Sequence, residues 1–177
     1  MRRIILAALA MLLLFGCSQA PKLGAIDSAH EHADFKVYVN NVAFNFSQGK
    51  YMEEIPTSIT CSQSTTLAHL HDMDGDVVHK HATGVTWGYF FSALNMSFDD
   101  SCFVTDTGEK YCNGENAKWR FYVNRAEVGW IANREMHNLE KVLITYNATN
   151  EEIARQLDTI TDKARRQNTS EVCGATS

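Results

Sequence analysis

The sequence predicts an α+β fold: a mostly antiparallel sheet with a mid-chain helix and a C-terminal helix. Three observations carry this expectation. Several short runs alternate apolar and polar side chains with the period of two that a half-buried strand requires. Two stretches carry apolar residues at helical spacing behind a capping residue, Thr86 before Trp87 and Asn150 before Ile153. Turn signals at Asn40-Asn41, Asp74-Gly75-Asp76 and Asp106-Thr107-Gly108 join pairs of runs as hairpins.

The N-terminus reads as a targeting segment. Arg2 and Arg3 precede the apolar run Ile4 to Phe15, which is too short to span a bilayer and fits a secretory signal. Leu14-Phe15-Gly16-Cys17 resembles the lipobox of prokaryotic lipoproteins, which implies cleavage after residue 16 and lipidation of Cys17. The expected organisation is therefore a signal peptide over 1–16 and a lipidated cysteine with tether over 17–29. One globular domain follows over 30–166, then a tail over 167–177. The expected location is extracytoplasmic, at the cell surface or in a periplasm, with the membrane reached through the lipid alone.

Phe35 to Val39 and Val42 to Phe46 flank Asn40-Asn41 as a hairpin. Leu67 to Met73 and Val77 to Ala82 flank Asp74-Gly75-Asp76 as a second. A helix from Trp87 to about Met96 follows. Cys102 and Cys112 then bracket a hairpin turning at Asp106-Thr107-Gly108; if Thr105 faces Glu109, Cys102 faces Cys112, and a cross-strand disulfide is expected. Cys61 and Cys173 are left bridged or free. An even number of cysteines after Cys17 suits an oxidising compartment, and the absence of Cys-x-x-Cys argues against a thioredoxin-type redox site. Trp119 to Val123 and Lys141 to Tyr146 are two further strands, and Ile153, Leu157, Ile160 and Ala164 share one face of the last helix. The net charge of -5 argues against a nucleic-acid partner.

Residues 86–146, with their helix, their hairpin, Trp119-Arg120-Phe121-Tyr122-Val123-Asn124 and the final strand Leu139 to Tyr146, resemble the β-grasp domains of the transcobalamin-like family. The chain departs from that pattern at Arg125, where those domains usually carry glycine. The resemblance implies a β-grasp-like sheet. Over its length the chain also resembles uncharacterised histidine-rich envelope lipoproteins of archaea and candidate-phylum bacteria. Neither resemblance brings an activity with it.

The main chemical signal is three His-x-His pairs, His30/His32, His69/His71 and His79/His81. On a strand each pair points to one face, so imidazoles can converge on one divalent transition metal, zinc or copper. Loop length decides whether the two mid-chain pairs meet. A three-residue Asp74-Gly75-Asp76 loop puts His71 opposite His79 and His69 opposite His81, all on one face. A two-residue loop puts the pairs on opposite faces. With the odd loop, His69, His71, His79 and His81 are expected to cluster about one point, and His30 or His32 to approach it. Asp34 and Asp72 are expected to orient the ligands as hydrogen-bond acceptors. Three classes of function remain: a metal-binding envelope lipoprotein, a structural or interaction module with an envelope protein partner, and a zinc-dependent hydratase or hydrolase. No Gly-x-Ser-x-Gly, P-loop or His-Glu-x-x-His motif occurs.

Overall fold

The computed structural model describes residues 20–53, 66–99 and 101–170. The expected signal peptide, Cys17, Cys61, Cys173 and residues 171–177 lie outside the described residues. No helix among the described residues is long and apolar enough to cross a membrane.

The fold is α+β, as the sequence predicts. Strands β1 (Glu31–Val39), β2 (Val42–Ala43), β3 (Ala68–His69), β4 (Val77–Lys80), β8 (Trp119–Val123), β9 (Ala126–Val128) and β10 (Lys141–Tyr146) form one sheet in the order β3-β4-β1-β10-β8-β9, with β2 also on β1. Strands β5 (Ser97–Phe98), β6 (Cys102–Val104) and β7 (Lys110–Cys112) form a second, smaller sheet. The central pair β1/β10 is parallel and every other strand pair is antiparallel. Helix α1 (Trp87–Ala93) follows β4 in the chain and leads into β5 of the second sheet.

Asn40 and Asn41 both have positive φ and close the β1/β2 hairpin in two residues, a geometry that asparagine tolerates better than most side chains. Asn124 and Arg125 do the same between β8 and β9, with φ of 50° and 70°. Asn-Arg lacks the glycine that advertises such a turn, so local sequence does not mark β9. Cys102 and Cys112 are register partners joined by a disulfide, as expected.

One sheet face builds the main core. Ala33, Phe35 and Val37 alternate inward from β1 and pack with Trp87, Phe90 and Phe91 of α1, whose first turn is capped by the Thr86 hydroxyl accepting from the Tyr89 N–H. The second sheet closes this core through Phe103 and Phe98 against Trp119 and Phe121. The opposite face carries Tyr122 and Leu143 under Ile153.

The C-terminal helix is two helices rather than one: α2 (Asn150–Asp158), capped by a Thr149/Glu152 box, and α3 (Lys163–Ser170). The β-branched run Thr159-Ile160-Thr161 and the Thr159 hydroxyl, which donates to the Gln156 carbonyl, end α2. Helix α3 begins where Asp34 of β1 accepts hydrogen bonds from the Lys163 and Ala164 N–H groups and the Thr161 hydroxyl. The Lys163 ammonium then reaches Asp74 at 2.9 Å and Asp76 at 3.1 Å, fastening α3 to the loop before β4. The predicted tether is joined to the domain from Gly24, whose N–H donates to the Thr83 carbonyl, and four residues of the predicted tail belong to α3.

Lys80 points from β4 to the side opposite His79 and is 2% exposed. Its ammonium donates to Glu31 at 2.7 Å, to Glu135 at 2.9 Å and to the Met136 carbonyl at 2.7 Å. Removing one partner of a buried charge group is costly, although both carboxylates retain some contact with water. Lys80→Met is therefore expected to lower stability by about 2 kcal/mol in urea denaturation. A loss under about 0.5 kcal/mol would show that the group is energetically neutral.

Candidate metal centre

Three adjacent strands build the site. His69 of β3 is the register partner of His79 on β4, and His79 is the partner of His32 on β1, so three imidazoles form one row across the sheet. The neighbouring row is Ala68, Lys80 and Glu31, facing the other way. The period of two brings His30, His71 and His81 to the histidine face. All six paired histidines thus meet on one side of the sheet.

The register differs from the expectation by two residues: His69, not His71, is opposite His79. Asp72 and Met73 take left-handed φ values of 55° and 57°, and the Asp74 N–H donates to the His71 carbonyl, so β3 stops early and a turn replaces its end. Gly75 leaves no space for a Cβ against the backbone of Phe46 and Ser47, which holds this loop down. Val77 and Val78 pair with Asp34 and Ala33 of β1 instead of with β3. A slip of two preserves facing, so the shared face expected from an odd loop is present.

The rings form a closed circuit. Centroid separations run 5.0 Å from His30 to His32, 4.4 Å to His79, 5.5 Å to His69, 5.0 Å to His81 and 4.9 Å back to His30. His71 sits 3.8 Å from His79, with its Nε2 3.2 Å from the His79 Nδ1. Two nitrogens each about 2.05 Å from one tetrahedral ion would be about 3.3 Å apart, so this pair already has ligand spacing. Two groups have ligand atoms mutually within 4.8 Å: His30, His32 and His79, and His69, His71 and His79. The four mid-chain histidines therefore do not share a single point, because His81 belongs to neither group. It lies between His30 of one and His69 of the other.

Carboxylates fix two of the rings. Glu53 approaches the His69 Nδ1 at 2.5 Å, and the Thr66 hydroxyl donates to the same Glu53 oxygen at 2.9 Å. Asp72 accepts from the His71 Nδ1 at 2.8 Å. Each bond commits Nδ1 as donor and leaves Nε2 as the ligand atom. Asp34 does not serve this purpose, since both of its oxygens cap α3. Glu53 was missed, because nothing in its local sequence marks it and a long connection separates it from His69.

Burial and neighbouring imidazoles hold His79 and His81 neutral. His79, 2% exposed, has its pKa pushed far below the ordinary histidine value by burial first and then by His71, His32, His69 and His81. His81 is also lowered, by burial and by His30, while Asp27 and Glu53 pull the other way. The His81 Nε2 is buried and has no hydrogen-bond partner among the described residues, a cost of about 1–3 kcal/mol unless something else satisfies it.

The donor set is imidazole. Met96 lies in the main core and Met73 is 55% exposed, so neither thioether stands in the circuit. An all-nitrogen set suits Zn(II), Cu(II) or Ni(II) better than Cu(I), calcium or magnesium. These histidine groups can hold a metal ion. No family model matches this chain, and comparison with curated proteins and with solved structures found no match.

Proposed function

We propose that this protein is an envelope-anchored carrier of a divalent transition metal, zinc or copper, held to the membrane by a lipid on Cys17 and exporting its domain outside the cytoplasm. The observation that carries the metal reading is the buried circuit of imidazoles in which the His81 Nε2 lacks a hydrogen-bond partner. A histidine face used only for solubility would be solvated, whereas His32, His69, His79 and His81 are buried. The cluster is reached through His30, which is exposed, and that favours loading and delivery over a sealed structural ion. The disulfide and the lipobox resemblance support the location.

An enzyme reading has less support. A zinc-bound water needs a base, and three of the carboxylates near the circuit are committed: Asp34 to α3, Glu53 to His69 and Asp72 to His71.

Calorimetric titration of the metal-free full-length chain with Zn(II) and Cu(II) tests the reading. Dissociation constants below micromolar are expected, with at least a hundredfold weakening of one bound equivalent in His69/His71→Ala. Glu53→Gln, which removes the charge orienting His69, is expected to weaken binding about 10- to 100-fold. Heats no larger than those of a variant with all six paired histidines replaced would overturn the proposal and favour an interaction module.

A further inference from the structure

His79 is the one residue common to both three-histidine groups, and it occupies the middle of the row His69, His79, His32. An imidazole has two ring nitrogens directed away from each other, each able to bind one ion. The His79 Nδ1 faces the His71 Nε2 at 3.2 Å, which assigns that nitrogen to the group on the β3 side. His32 meets the ring of His79 edge to face, at 86° and 4.4 Å, from the β1 side.

We infer that the cluster is a two-metal site, with one divalent transition-metal ion held by His69, His71 and His79, a second by His30, His32 and His79, and His79 bridging the two. This rests on the metal-binding reading above. The five histidines of the two groups do not form one group, so a single ion cannot use both sets at once. His81, 4.9 Å from His30 and 5.0 Å from His69, is the available fourth ligand for either ion. Bridging changes the chemistry of His79 in a defined way. The first metal–nitrogen bond uses a ring lone pair. When the second forms at the other nitrogen, the N–H bond there breaks, the proton leaves to solvent, and the ring becomes an imidazolate carrying one negative charge between two cations. No electron is transferred.

The metal-free full-length chain, titrated with Zn(II) and with Cu(II), gives the test. Two equivalents per chain are expected. In the Cu(II) form, the low-temperature EPR spin count should fall as the second equivalent is added, because an imidazolate couples the two spins. His30→Ala, at an exposed position, should weaken one equivalent at least tenfold, leave the other within threefold and restore an uncoupled Cu(II) signal. His71→Ala should do the same to the other equivalent. His79→Gln should abolish coupling, with circular dichroism verifying that it folds; the two single variants carry the test if it does not. One equivalent only would overturn the two-metal site while leaving metal binding intact. Two equivalents without coupling would overturn the bridge. No binding at all would overturn the underlying reading instead.

Discussion

Asp34→Ala is expected to lower the stability of the metal-free protein by about 3 kcal/mol, roughly a 10 °C drop in melting temperature for a domain of this size. Asp34 is 1% exposed, and its two oxygens accept from the Thr161 hydroxyl and from the Lys163 and Ala164 N–H groups. Alanine strands all three donors at the start of α3, and hydrogen bonds to a charged acceptor contribute about 1.5–3 kcal/mol each before relaxation. Lys163 moves with α3, so its contacts to Asp74 and Asp76 weaken as well. Asp34→Asn keeps one acceptor oxygen and should cost about half as much. The measurement is a pair of urea curves together with a Zn(II) titration of each variant. If metal affinity falls tenfold while metal-free stability is unchanged, Asp34 orients a ligand after all and the capping account is wrong.

The contrast between Asp34 and Glu53 marks how far the sequence could be read. Alternation along β1 puts His30, His32 and Asp34 on one face, and this facing is what the structure has. Which partner a buried carboxylate takes on that face depends on where α3 lands, and local pattern does not encode that. Parity survives small shifts in a loop: the β3/β4 register differs from the sequence expectation by two residues, yet every histidine keeps its side because the shift is even. Asn40-Asn41 and the Cys102/Cys112 hairpin were legible because turn chemistry and covalent geometry are local. The Asn124-Arg125 turn was not, because Arg125 adopts a conformation its residue type rarely advertises. Division of the histidines into two groups was also hidden, since it arises from β1 and β3 flanking β4, a contact between segments distant in sequence.

The buried, neutral His79 and His81 should make the metal-free protein unusually sensitive to mild acid. The folded-state pKa of His79 is far below its unfolded value near 6.5, for the reasons of burial and neighbouring imidazoles, and His81 is shifted in the same direction. Above pH 6.5 both residues are neutral whether the chain is folded or not, so neither adds a pH-dependent term. Below it the unfolded chain binds protons that the folded chain refuses, and stability falls with a slope of about 1.4 kcal/mol per pH unit for each such histidine. Between pH 7 and pH 5 the expected loss is about 2 kcal/mol from His79 alone, and up to about twice that with His81. The carboxylates held low by partners, such as Asp76, whose burial is outweighed by Lys36 and Lys163, lose their contribution only at more acidic pH. Saturating Zn(II) should raise stability at pH 7 and steepen its fall with acid, because ligation requires every coordinating imidazole to be neutral. Urea midpoints measured from pH 7.5 to 5, with and without metal, test this directly. A metal-free profile that is flat over this interval would mean that the histidine face opens to water and takes up protons without unfolding. His79→Gln should remove about 1.4 kcal/mol per pH unit of the slope, and a variant with the slope of the native chain would place the acid sensitivity elsewhere.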